Sequence, residues 1–195
     1  GDDREDVFWY SSGGLDPMWF GSDKSAFDLG PTLQSPQNRV PVAGDFNGDG
    51  KADLLVSAYF NDTAGTQAGA TYVILGKTGN TAVDLTNIKN NSGGFVILGE
   101  NGQDMSGVSV SSGGDINGDG FADLLIGAPY SSAIGVNNGG LAYVVFGRSG
   151  DFNASVDVSA LASAAGTRID GVLGSGKLGQ GVSAAGDVNG DGLGD

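Results

Sequence analysis

Short apolar runs, rich in β-branched and aromatic residues and closed off by glycine, recur along this chain at regular intervals. Leu54-Leu55-Val56-Ser57-Ala58 returns as Leu124-Leu125-Ile126-Gly127-Ala128, and more loosely as Val7-Phe8-Trp9-Tyr10. Ala70-Thr71-Tyr72-Val73-Ile74-Leu75-Gly76 returns as Leu141-Ala142-Tyr143-Val144-Val145-Phe146-Gly147. Runs of this length and composition predict strands. Further strands are predicted at 107–111 and 181–184, and at Phe95-Val96-Ile97-Leu98 and Arg168-Ile169-Asp170. Helical periodicity is nearly absent. Residues 155–165 are the one alanine-rich stretch, expected to be a loop with one turn.

The polar segments between the runs repeat more closely still. Ala43-Gly44-Asp45-Phe46-Asn47-Gly48-Asp49-Gly50-Lys51-Ala52-Asp53 aligns with residues 113–123 and 185–195, the first aspartates standing 70 and then 72 residues apart. Gly1-Asp2-Asp3-Arg4-Glu5-Asp6 matches the end of the same segment. Each repeat then holds one strand before the loop, one after it, the Tyr-Val strand and a last one. Four short antiparallel strands per unit, each unit needing neighbours to cover its faces, describe an all-β fold of propeller blades. The 195 residues carry about three blades' worth of strands, fewer than the roughly four to eight that close a ring. The expectation is a piece of a longer propeller, or a protomer that shares blades with a neighbour. Its parts would be a partial blade over 1–42, whole repeats over 43–112 and 113–184, and a truncated loop at 185–195.

The spacing of the loop, D-x-N-x-D-G-x-x-D, carries a chemistry. Calcium takes six to eight hard oxygen donors, and side chains at positions 1, 3, 5 and 9 with the carbonyl of position 7 supply such a set. In the first loop these are Asp45, Asn47, Asp49, the Lys51 carbonyl and Asp53. In the second they are Asp115, Asn117, Asp119, the Phe121 carbonyl and Asp123. In the third they are Asp187, Asn189, Asp191, the Leu193 carbonyl and Asp195. Glycine at position 6 (Gly50, Gly120, Gly192) admits the positive φ that wraps the chain round an ion. Asp, Asn and Gly are also ordinary turn residues, but three copies in one context argue against plain turns. An EF-hand or dockerin shares the first six positions, yet needs a glutamate at position 12 and flanking helices; Val56 and Ile126 stand there, inside apolar runs.

These residues resemble the FG-GAP repeat of integrin α-chain propellers and their bacterial relatives. The resemblance rests on the loop, on Asp123-Leu124-Leu125-Ile126-Gly127-Ala128-Pro129, and on Tyr143-Val144-Val145-Phe146-Gly147. Leu178-Gly179-Gln180-Gly181-Val182-Ser183, with leucine for phenylalanine, is similar to the family's "FG-x-S-V" segment, and Met105-Ser106-Gly107-Val108-Ser109 less so. Residues 1–42 look more like the related VCBS blade, through Asp6-Val7-Phe8-Trp9-Tyr10 and Asp16-Pro17-Met18-Trp19-Phe20-Gly21. The resemblance implies a calcium-binding β-propeller, usually of seven blades, with the ion in the hairpin between a blade's first two strands.

Composition narrows the partners. A net charge of -14 repels a phosphate backbone, so nucleic acid is excluded as a partner, while divalent cations are favoured. No apolar run approaches the roughly 18 residues of a membrane span, and the acidic opening is no signal peptide. With no histidine and no cysteine, Ser-His-Asp and Cys-His catalysis and His-ligated zinc are excluded. Most aspartates belong to the loops, and Glu100 and Asp104 are expected in a solvated turn, so the chain is read as no enzyme. The reading is an extracellular or cell-surface module for adhesion or for surface and matrix assembly. Its partners would be a protein or glycan ligand there, with self-association through open blade edges. A lectin-type propeller, with Trp9, Tyr10, Trp19 and Phe20 as a sugar-stacking surface, is one alternative, although such rings more simply pack between blades. An accessory domain of a secreted hydrolase or lyase is another. Sequons stand at Asn61-Asp62-Thr63, Asn90-Asn91-Ser92 and Asn153-Ala154-Ser155, all in predicted loops.

Overall fold

A computed structural model describes residues 18–20, 25–27, 42–79, 82–90, 92–132, 135–150, 152, 155–161 and 163–195. The copy of the loop at residues 1–6, Trp9 and Tyr10 lie outside these residues. Strands β1 (Met18–Phe20) and β2 (Ser25–Phe27) pair as an antiparallel hairpin.

Two four-stranded antiparallel meanders follow. The first blade is β3 (Val42–Gly44), β4 (Asp53–Ala58), β5 (Ala70–Ile74) and β6 (Gly94–Leu98). The second is β7 (Ser109–Gly114), β8 (Asp123–Ala128), β9 (Leu141–Val145) and β11 (Gly166–Asp170). The first aspartate loop joins the first and second strands of the first blade, and the second loop does so in the second blade. The runs at 95–98 and 168–170 are the fourth strands, as expected. Residues 181–184 form no strand; the segment just before them touches the second blade through a parallel bridge between Gly140 and Leu178.

The two sheets stack face to face. Leu55, Val73, Phe95 and Ile97 of the first meet Leu124, Ile126, Leu141 and Tyr143 of the second. The other face of the first blade, with Leu54, Val56, Tyr72, Ile74 and Val96, lies against Val83, Leu85 and Ile88. Burial on both faces explains why β5 reads as an unbroken apolar run rather than an alternation.

Two elements differ from the sequence expectation. A short helix, α1 (Leu85–Lys89), forms where none was foreseen. Its N-cap is Asp84, whose carboxylate accepts from the Thr86 N–H at 2.8 Å, and it buries only Leu85 and Ile88. One turn is too brief for helical periodicity to register. The alanine-rich stretch holds instead β10 (Ser155–Asp157) and a 3-10 turn at Val158–Ala160. Strand β10 adds in parallel to the outer edge of β6, so a connector of the second blade extends the sheet of the first. Phe152, just before it, stacks on Phe95 with ring centres 4.0 Å apart and planes within 8°.

The opposite end of the blades corrects the expected solvated turn. Asp104 is 5% exposed, and Glu100 accepts from the Tyr143 hydroxyl at 3.1 Å and pairs with Arg168 at 3.4 Å. Burial pushes the Asp104 carboxyl above its ordinary value of 3.8; the Asn101 and Ser131 side chains pull it down, and nearby Glu100 pushes it up. A raised folded-state value means that the unfolded chain gives up this proton first. The group's contribution to stability is therefore full below 3.8 and is lost as pH rises through the folded value. Asp104→Asn, which mimics the protonated form, is expected to be at least as stable as the parent at pH 7. Denaturant midpoints of the two proteins should converge below the ordinary aspartate value; a variant much weaker at pH 7 would contradict this. Asn61 of the first sequon lies outside any strand, as expected, but is 8% exposed, and its side-chain oxygen accepts from the Thr63 N–H at 2.8 Å.

Candidate metal centre

The three loops share one hydrogen-bond pattern. In the first, Asp45 Oδ1 accepts from the N–H groups of Gly48 at 2.8 Å and Asp49 at 3.1 Å, and Oδ2 from Gly50 at 3.0 Å. Asn47 Oδ1 accepts from the Asp49 N–H, and Asp49 Oδ1 from the Lys51 N–H. Asp115, Asn117 and Asp119 repeat every one of these bonds in the second loop. Asp187, Asn189 and Asp191 do so in the third. Position 6 is left-handed throughout, with φ of 80° at Gly50 and 89° at Gly120 and Gly192. No atom crowds these glycines, so the conformation alone requires them.

Position 9 does more than close the turn. Asp53 and Asp123, 1% and 0% exposed, open the second strand of their blades. Asp53 accepts from the Phe46 N–H at 2.8 Å and from the Gly76 N–H, just past the third strand, at 2.7 Å. Asp123 does the same with Ile116 at 2.8 Å and Gly147 at 2.9 Å. In the third loop Asp195 accepts from Val188 at 2.9 Å. Gly76 and Gly147 lie outside the D-x-N-x-D-G-x-x-D spacing, and their signal in the sequence is that both end the repeated Tyr-Val runs.

The electrostatics are those of carboxylates held together. Burial pushes the Asp53 carboxyl up, its bonds from Gly76 and Phe46 pull it down, and the charges of Asp45 and Asp49 push it up again. Asp123 is raised first by burial and then by Asp119 and Asp115, against its bonds from Gly147 and Ile116. Asp49 is held down by its ion pair with Lys51, 2.7 Å away and exposed.

The donor set of each loop is all hard oxygen and fits calcium in kind. Among the described residues no three carboxylates converge closely enough to hold an ion as they stand, because positions 1, 3 and 5 are turned onto the loop's own N–H groups. The position-1 Oδ1 already accepts twice, while its Oδ2 and the Oδ1 of positions 3 and 5 accept one N–H each and keep a second lone pair. No helix among the described residues is long and apolar enough to cross a membrane.

Comparison with known proteins agrees with this geometry. The FG-GAP repeat profile matches residues 38–74 and 106–145, each spanning a loop and the strands beside it. Integrin alpha-PS5 of Drosophila melanogaster is 33% identical over 155 residues, 79% of this chain and 14% of the relative. Integrin alpha-3 of Cricetulus griseus is 36% identical over 87 residues, 44% of this chain and 8% of the relative. Integrin alpha-6 of Homo sapiens is 36% identical over 88 residues, again 44% of this chain and 7% of the relative. The chain thus spans a small part of the length of the relatives it matches.

Proposed function

Because this chain carries FG-GAP repeats and is similar to integrin α chains, we propose that it is a calcium-stabilised β-propeller segment serving adhesion, or surface or matrix assembly, outside the cell. The observation that carries the calcium reading is the threefold loop, the same bonds made by the same residue types at Asp45, Asp115 and Asp187. Positions 1, 3, 5 and 9 with the carbonyls of Lys51, Phe121 and Leu193 would hold the ions. Calcium would supply positive charge beside Asp53 and Asp123, whose carboxyls burial and the neighbouring aspartates push up. Weak loops of this kind fill at the millimolar calcium found outside cells, which supports an extracellular setting. The role is binding rather than catalysis, and its partner would be a protein or glycan at a cell surface or in a matrix.

The test is thermal unfolding in excess calcium and after chelation. Binding to the folded state alone stabilises by RT ln(1 + [L]/Kd), about 2.7 kcal/mol at a hundredfold excess over Kd. A marked rise in Tm with calcium, reduced in Asp119→Ala, is expected. An unchanged Tm would reduce the loops to turns and remove the extracellular argument with them.

A further inference from the structure

Neighbouring loops touch, and they do so twice in the same way. The Ala122 N–H, at position 8 of the second loop, donates to the Asp45 carbonyl of the first at 3.1 Å. The Gly194 N–H, at position 8 of the third, donates to the Asp115 carbonyl of the second at 2.7 Å. Position 7 adds a side-chain contact. The Phe121 ring lies over Gly48 so closely that a Cβ there would overlap it, and a Cβ at Gly118 would lie 3.2 Å from Leu193 Cδ2. The Arg148 N–H donates to the Phe46 carbonyl at 3.0 Å, a further link between the first loop and the second blade.

The consequence follows from one peptide plane. The N–H given to Asp45 and the carbonyl of Phe121 belong to the same planar unit and point in opposite directions. That carbonyl is the position-7 donor of the second loop, and Asp45 is the position-1 donor of the first. Whatever orients the Phe121 carbonyl therefore also orients the N–H that holds the Asp45 backbone carbonyl, and with it the residue that carries the position-1 carboxylate, and the reverse. The Leu193–Gly194 peptide stands in the same relation to Asp115.

We infer that the calcium occupancies of neighbouring loops are positively coupled, through the peptide between positions 7 and 8 and through the position-7 side chain packed on the preceding loop. This rests on the calcium reading above. Coupling between binding sites is reciprocal, and nearest-neighbour contacts make it fall off with distance along the blades. Phe121 is a positioning residue here: its backbone is the donor, and its ring transmits.

The experiment is a calcium titration of the whole chain followed by amide NMR at Gly50, Gly120 and Gly192, one reporter in each loop. Asp119→Asn changes an exposed side chain and keeps an oxygen acceptor for the Phe121 N–H. It is expected to weaken calcium binding at the first loop, read at Gly50, by about five-fold or more, although it touches no donor of that loop. Asp191→Asn in the third loop should shift Gly120 more than Gly50. Phe121→Ala, which leaves every donor and the 121–122 peptide in place and removes only the ring, should measurably reduce the effect of Asp119→Asn on Gly50. A Gly50 midpoint indifferent to Asp119→Asn, with all three loops still titrating, overturns the coupling alone. No calcium-dependent shift at any reporter overturns the coupling together with the reading beneath it.

Discussion

Asp123→Ala is expected to cost about 3 kcal/mol of folding stability, in chelator as well as in calcium. The carboxylate is fully buried and accepts from Ile116 and Gly147, tying the turn of the loop to the far end of β9. A hydrogen bond to a charged group contributes about 1.5–3 kcal/mol, and a buried donor left without a partner costs its desolvation as well. Gly147 is buried, so water cannot take over its N–H. The ionised carboxylate also carries a desolvation cost, which is why the net figure falls below the sum of two such bonds. Asp123→Asn should recover only part of the loss, since it keeps one acceptor and sets an amide NH2 against the other N–H. The exposed Asp119 makes the contrast: its alanine variant should change stability by less than about 1 kcal/mol in chelator and by more when calcium is present. Urea unfolding in both buffers measures each. Equal small effects for the two variants in chelator would show that position 9 is no structural pin.

Gly127→Ala is the second large effect, for a steric reason. A Cβ on Gly127 would overlap the carbonyl oxygen of Gly179 and lie 2.7 Å from its carbonyl carbon. Backbone stands on both sides, so no side chain can turn aside. Gly179 is held in place by its neighbours: Leu178 N–H donates to the Gly139 carbonyl at 2.9 Å, and the Gly127 carbonyl is engaged by the Gly107 N–H at 2.8 Å. Overpacking of this kind costs about 1–3 kcal/mol. We expect the upper end of that range, with amide exchange rising across 178–195, the stretch that must move away. The matching position in the first blade is Ser57, whose hydroxyl donates to the Gly107 carbonyl, so that blade accommodates a side chain where the second does not. Unchanged exchange in 178–195 and unchanged stability would contradict this close approach.

The four-strand unit and the loop residues were legible because they repeat. Identity at Asp45, Asp115 and Asp187 fixes the local turn through bonds within six residues, and such bonds are a property of spacing. What the sequence did not disclose was contact at a distance. Strand β10 is three residues of no marked pattern, and its pairing with β6 depends on where the neighbouring blade lies. Asp104 looked solvated because its neighbours Gly102 and Gln103 are polar or small; it is buried because the turn folds onto residues 65–68 and Ser131. The alignment of Ser57 with Gly127 was visible, but not that only the second comes into backbone contact. The relation of Phe121 to Gly48 belongs to the same class, since it joins two copies of the repeat and not two positions within one.

The central claim is that these loops hold calcium, and a crystal structure grown in calcium, with anomalous differences recorded, tests it most directly. The account predicts an anomalous peak in the second loop within about 2.3–2.6 Å of oxygens from Asp115, Asn117, Asp119 and Asp123 and of the Phe121 carbonyl, with a matching peak at the first loop. Water alone in loops that keep the hydrogen bonds described above, at millimolar calcium, would contradict it.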